Sequence, residues 1–229
     1  MNHSKLTASS GTVSFQIIPA GSIRCNTVVL WHERSLDSVI VDPSDDARPA
    51  IAFARRLGLR VHHLLLTHGH FEHCADAERA AAEFCCPASL HPADHPLFFD
   101  LPAHARSFGH AISPRTLTPL ELVDNQVFDV LPGCPIVVLH VPGHSEGSVA
   151  FFLPAVEWVC TGDTLFHNGT PRTDLPGGDA SKLMDSVEHR LYSLAEETLV
   201  IPGHGPMTSI RDAKREQAGR SETRIAPTP

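Results

Sequence analysis

The sequence predicts an α/β fold, a four-layer αβ/βα sandwich in which two mixed sheets pack face to face and helices flank them on the outside. Three observations carry that prediction. Each half of the chain runs strands, then a helix, then another strand. At 229 residues, 42% hydrophobic and 19% charged, the chain can bury a substantial core as one domain. No apolar run approaches the ~20 residues that a membrane helix needs. The domain is expected over residues 13–217, with 1–12 a flexible leader and 218–229 a disordered tail.

Residues 13–18 and 26–31 alternate or run apolar, as strands do, and Pro19-Ala20-Gly21-Ser22 turns between them. A third strand, 38–41, ends in Asp42-Pro43-Ser44-Asp45-Asp46. That acidic loop is expected to cap a helix: Asp45 or Asp46 at the N-cap, Pro49 in the first turn, a buried stripe of Ile51, Ala54 and Leu57, and Gly58 as terminator. Residues 61–66 form the next strand, and an alanine-rich helix is expected over 75–84. A short strand at 86–90 and a helical turn at 93–99 follow. Residues 100–118 hold several Pro and Gly without a period and are expected to form a long loop. In the second half, 120–123, 126–131, 136–141, 148–153 and 157–160 read as strands at hairpin spacing. A Gly/Pro-rich loop, 161–179, leads to an amphipathic helix over 180–194, with Leu183, Val187, Leu191 and Leu194 on one face and Asp179 as cap. A strand at 198–201 and a helix at 210–217 complete the order.

A net charge of −8 argues against a nucleic-acid partner. The six cysteines, Cys25, Cys74, Cys85, Cys86, Cys134 and Cys160, show no C-x-x-C pair. They are expected to be buried reduced thiols of a cytoplasmic protein. The N-terminus lacks a basic stretch followed by an apolar one, so no secretory signal is expected. Trp31 and Trp158 are expected in the core.

The densest chemistry is Thr67-His68-Gly69-His70-Phe71-Glu72-His73, between a predicted strand and a predicted helix. Alternate residues of an extended segment share a face, so His68 and His70 can point together, and Glu72 and His73 can serve a neighbouring spot. Imidazole nitrogen and carboxylate oxygen are the ligands that a borderline cation such as Zn²⁺ takes. Three later strands end alike, in Pro142-Gly143-His144, Gly162-Asp163 and Pro202-Gly203-His204. Each offers one His or Asp beside a Gly that lets the backbone turn or approach closely. With sixteen histidines in the chain, one Pro-Gly-His alone reads as a turn with a solvated ring. Three such loops together with the dense cluster predict a metal site, for two metals.

This series resembles the metallo-β-lactamase superfamily, whose pattern is H-x-H-x-D-H followed by single His, Asp and His. The resemblance covers roughly residues 13–214. Residues 162–166, 172–179 and 202–207 are similar to short bacterial glyoxalase II-like (hydroxyacylglutathione hydrolase-like) enzymes, which hydrolyse acyl-glutathione thioesters. The resemblance implies the metallo-β-lactamase fold. It implies His68, His70 and His144 on a first metal, and Glu72, His73 and His204 on a second, with Asp163 bridging and Asp163 and Glu72 in the catalytic set. Two divalent metals are expected, Zn with Fe or Mn as alternatives, and a small-molecule substrate rather than a nucleic acid or a membrane. With His204 near the C-terminus, the helical glutathione-binding domain of full-length glyoxalase II is expected to be absent.

A metal lowers the pKa of a bound water toward about 7, which supplies hydroxide to a thioester carbonyl without a nucleophilic Ser or Cys. The two carboxylates of glutathione call for cationic partners. Arg172 suits by position, with His167 as a second contact and Lys182, Lys214 and Arg215 behind them. Two departures from the family pattern stand out. Glu72 occupies the Asp position, and its extra methylene moves the carboxylate roughly 1.5 Å outward, against a ligand tolerance of ~0.2 Å. Pro171 precedes Arg172 where relatives carry Gly, which fixes φ in the substrate loop. The same ligand set also suits a lactonase, a mononuclear-iron persulfide dioxygenase or a non-catalytic metal-binding protein.

Overall fold

Strands β1 (Val13–Ala20), β2 (Cys25–His32) and β3 (Asp37–Val41) pair antiparallel in sequence order. Helix α1 (Arg48–Leu57) then carries the chain to β4 (Arg60–Leu65), which lies parallel to β3. Two short helices, α2 (Phe71–Cys74) and α3 (Ala77–Phe84), lead to β5 (Ala88–Leu90), and α4 (His95–Phe99) and α5 (Leu101–Ser107) lead to β6 (Leu120–Glu121). The second sheet begins with the antiparallel run β7 (Val127–Phe128), β8 (Ile136–His140), β9 (Val149–Leu153) and β10 (Trp158–Gly162). After α6 (Ala180–Ser186) come β11 (Leu199–Pro202), parallel to β10, then β12 (Thr208–Ser209) and α7 (Ile210–Ile225). The strand orders are β1-β2-β3-β4-β5-β6 and β12-β11-β10-β9-β8-β7. This is the predicted αβ/βα sandwich. The structure, a computed structural model, describes residues 12–114 and 116–225, so most of the expected leader and the last four residues lie outside it.

Strand periodicity explains the layers. Val28, Leu30, Val39 and Val41 face inward and meet Val138, Phe151 and Ile201 of the second sheet. Their neighbours Val29, Trp31 and Ile40 face outward onto α1 and α3. β2 is buried at all of its positions because both of its faces are covered. Phe15 and Trp158 meet edge to face across the inter-sheet core, 4.8 Å between centroids. Each such side chain contributes about 1.5–3 kcal/mol by leaving water. The outer face of the second sheet is covered through Val187, Leu191, Ile210 and Ala213.

The structure corrects several element expectations. Residues 101–107, read as loop, are helical: Pro102 sits in the first turn, where its missing N–H costs nothing, and Leu101 and Ala105 are buried. β6 joins the first sheet beside β5 rather than the hairpin series. The strand expected over 126–131 shrinks to Val127–Phe128. The N-cap of α1 is Ala47, because Asp45 holds Ser22 and Asp46 pairs with Arg48. Leu57 is 40% exposed and outside the stripe. The helix expected over 180–194 widens into a π-turn at Val187–Leu191, and α7 runs past Gln217 to Ile225. Five cysteines are buried, but Cys85, at the left-handed C-cap of α3, is exposed. No helix among the described residues is long and apolar enough to cross a membrane.

Candidate metal centre

The segment after β4, the ends of β8, β10 and β11 and the loops that follow them meet at one edge of the sandwich. Backbone bonds fasten them together: Val149 N–H donates to Thr67 O (2.8 Å), Gly203 N–H to Gly162 O (2.8 Å) and Asn26 N–H to Gly203 O (2.7 Å). A Cβ on Gly203 would fall on Asp163 Oδ1 and within 2.6 Å of His73 Cε1. The bare backbone is what lets β11 approach the site so closely. Gly143 adopts φ +135° and lies against the backbone of Leu183, which places His144 at the N-terminal end of α6.

His68, His70 and His144 each turn one nitrogen to a common point, all three within 4.8 Å of one another. Their rings stand mutually edge-on, with centroids 4.7 Å apart and interplanar angles of 84–86°. His144 Nδ1–H donates to the Arg172 carbonyl (2.9 Å), which leaves Nε2 bare beside His70 Nδ1 (2.9 Å). Thr67 Oγ1–H donates to Asp42 Oδ2 (2.6 Å), so Thr67 can only accept from His68 Nδ1 (3.0 Å). That fixes the His68 proton on Nδ1 and frees Nε2. Burial first, then the neighbouring imidazoles, holds His68 and His70 well below the ordinary histidine value.

Glu72, His73, Asp163 and His204 form a second group within 4.8 Å. Asp163 Oδ1 lies 3.3 Å from His73 Nε2; its Oδ2 lies 3.6 Å from His204 Nε2 and 3.8 Å from His144 Nε2. One carboxylate therefore faces both groups. Burial works against its charge, but His73, His144 and His204 hold Asp163 well below the usual carboxylate range. For His73 burial opposes protonation; the carboxylates of Asp163 and Asp42 outweigh it, and the ring lies well above its ordinary value. Its Nδ1–H donates to Asp42 Oδ2 (2.8 Å), directing Nε2 at Asp163.

The donor set fits divalent cations. His68 Nε2, His73 Nε2 and Asp163 Oδ1 are buried with no hydrogen-bond partner. Buried polar atoms are rarely left so, and these are imidazole nitrogens and a carboxylate oxygen aimed inward.

Three supporting residues escaped the sequence reading. Asp42, placed in a capping loop, is 2% exposed at φ +47°, and it accepts from Thr67 N (2.8 Å), Thr67 Oγ1 and His73 Nδ1. It stands behind His73 as carboxylates commonly stand behind metal-bound histidines. Cys25 Sγ lies 3.4 Å from His73 Nδ1; burial pushes its thiol up to about 12, so it stays protonated. Asp94 accepts from Gly69 N, Ser145 Oγ and Gly147 N at 2.7–2.8 Å and ties the His68–His70 turn to the His144 loop. An Asp directly after a strand was the available signal for Asp42; nothing local marked Asp94.

The suggested substrate residues hold partners of their own. Arg172 is half exposed and bonds Asp174 through two nitrogens (2.9 and 3.0 Å), while its carbonyl holds His144. His167 pairs with Glu216 of α7 (3.0 Å), Lys182 with Glu146 (2.8 Å) and Arg215 with Asp212 (3.9 Å), while Lys214 lies over the Tyr192 ring. Only Arg172 touches the centre, through its backbone.

Residues 21–204 match the metallo-beta-lactamase superfamily, and the chain belongs to it. It is 31% identical over 204 residues to the hydroxyacylglutathione hydrolase GloC of Haemophilus influenzae, covering 89% of this chain and 96% of that one. Among solved structures, BLEG-1, a B3 metallo-beta-lactamase, superposes with a TM-score of 0.81 at 32% identity over 88% of this chain and 96% of that one. TTHA1623 in a di-iron-bound form gives 0.80 at 35% identity over 87% and 97%.

Proposed function

We propose that this chain hydrolyses S-acylglutathione thioesters with two divalent metals, His68, His70 and His144 holding one and Glu72, His73 and His204 the other, with Asp163 shared. The observation that carries the reading is the pair of adjoining ligand groups joined by a single carboxylate, Asp163 Oδ2 lying within 4 Å of imidazoles from both. Bound there, such cations supply a water that is acidic enough to attack at neutral pH and a Lewis acid for the carbonyl. The chain's own residues do the rest. Asp163 and Glu72 bring negative charge to a site that would otherwise hold two cations among imidazole rings. Asp42 and Thr67 orient the rings of His73 and His68.

The Arg172 guanidinium, exposed beside the centre, exchanges Asp174 for a substrate carboxylate, and its carbonyl keeps the first group aligned as it does so. A thiolate leaves without a general acid, and no buried proton donor is required of the fold. Likeness to GloC supports the glutathione thioester; likeness to a di-iron structure supports two metals and makes iron a candidate beside zinc.

Metal analysis combined with thiol release from lactoylglutathione tests the reading. Two metals per chain with thiol release is the expected result. One iron with oxygen consumption on glutathione persulfide would establish the mononuclear dioxygenase, which the Glu72 departure favours as second reading. Turnover of lactones or β-lactams without thioester cleavage would reject the thioesterase.

A further inference from the structure

Helix α5 lies over the His70 side of the centre, anchored through Leu101 and Ala105 in the first core cluster. His104, three residues after Leu101 and so on a neighbouring face position, sets its ring 4.8 Å from His70 and 5.5 Å from Phe71. Both of its nitrogens are shielded from solvent and have no hydrogen-bond partner. Two other buried atoms share that condition: His70 Nε2, and Glu72 Oε2 of α2, the helix that packs against α5.

The donor count is informative. When His70 Nδ1 faces a cation, its proton sits on Nε2 and needs an acceptor. A neutral imidazole offers one acceptor nitrogen and one N–H, and Glu72 Oε2 is an acceptor. Two bonds through one ring would satisfy all four atoms. We propose that His104 is a positioning residue that bridges the two metal groups, accepting from His70 Nε2–H and donating its other N–H to Glu72 Oε2. This rests on the two-metal reading. It also gives the Glu-for-Asp departure a purpose, because the extra methylene extends the carboxylate by roughly 1.5 Å, enough for one oxygen to serve the cation while the other reaches α5.

The test is a titration of apo-protein with Zn²⁺ against a chromophoric chelator, repeated with Co²⁺ and read by its visible absorption. H104F keeps an aromatic ring but removes both bonds; it should weaken the second metal equivalent about 10–100-fold, the usual range for lost outer-shell partners. H104Q, which can accept and donate, should recover most of that loss. In E72D the carboxylate no longer reaches His104, so adding H104F should cost less than it does in the parent. Unchanged second-equivalent affinity in H104F, no recovery in H104Q, or strictly additive effects in the E72D/H104F pair would each overturn the bridge. A parent chain that takes up only one equivalent overturns the two-metal reading and the bridge with it. Thioester turnover plays no part in the readout, so a failed activity assay leaves this test intact.

Discussion

The two donor groups are built from different materials. The first is three imidazoles, each no more than 2% exposed, held edge-on with Thr67 and the Arg172 carbonyl behind two of them. The second mixes two imidazoles with two carboxylates and opens to solvent, its His204 side chain 25% exposed and Glu72 half-buried. The closed group fixes geometry, and the open group brings charge and access. The one departure from the family's ligand pattern, Glu72, falls in the open group, where a longer side chain has room. Asp163 belongs to both, so the comparison is sharpest there.

Asp163→Asn should therefore give the largest effect. Losing a shared ligand must exceed the ~10–100-fold cost of losing an outer-shell partner, and turnover and both metal equivalents should fall together. If metal content stays at the parent level, the carboxylate is not shared. Next, His68→Ala should strip the closed group and leave little metal bound, whereas His204→Ala should retain about one equivalent; elemental analysis of the two purified variants reads the contrast. Equal losses would erase the distinction between the groups.

A smaller effect is expected behind the ligands. Asp42→Asn turns an N–H toward one of the donors that the carboxylate accepts from. It should weaken the second metal by about 10–100-fold and lower stability by about 1–3 kcal/mol, measured by metal titration and thermal melting. Arg172→Ala should leave metal content unchanged, since the carbonyl still holds His144, and raise KM about 10-fold at constant kcat, as loss of uniform binding does. A drop in kcat instead would place the guanidinium in the chemical step. The smallest change should come from Cys25→Ala: metal stoichiometry as in the parent and about 1 kcal/mol of stability lost to a small cavity.

Much of this was legible in the order of residues. Apolar strand runs such as β2, and glycines just before His144, Asp163 and His204, announce a sandwich whose strand ends carry imidazoles and a carboxylate. Those signals are local, because periodicity and turn chemistry act over a few residues. Helix α5 was missed because its proline and short length looked like a loop, and only the packing of Leu101 and Ala105 made it helical. Asp42 looked like a capping residue until the fold set it beside Thr67 and His73.

The sequence by itself determined the layers and the inventory of imidazoles and carboxylates, since both follow from side-chain period and from the bond-forming capacity of each residue. Tertiary structure alone decided which nitrogen each histidine presents, that Asp163 faces two groups, and that His104 stands against His70. Those facts depend on strands far apart in the chain being brought to one edge, and a proton's position on a ring is set by whichever partner the fold delivers to the other nitrogen.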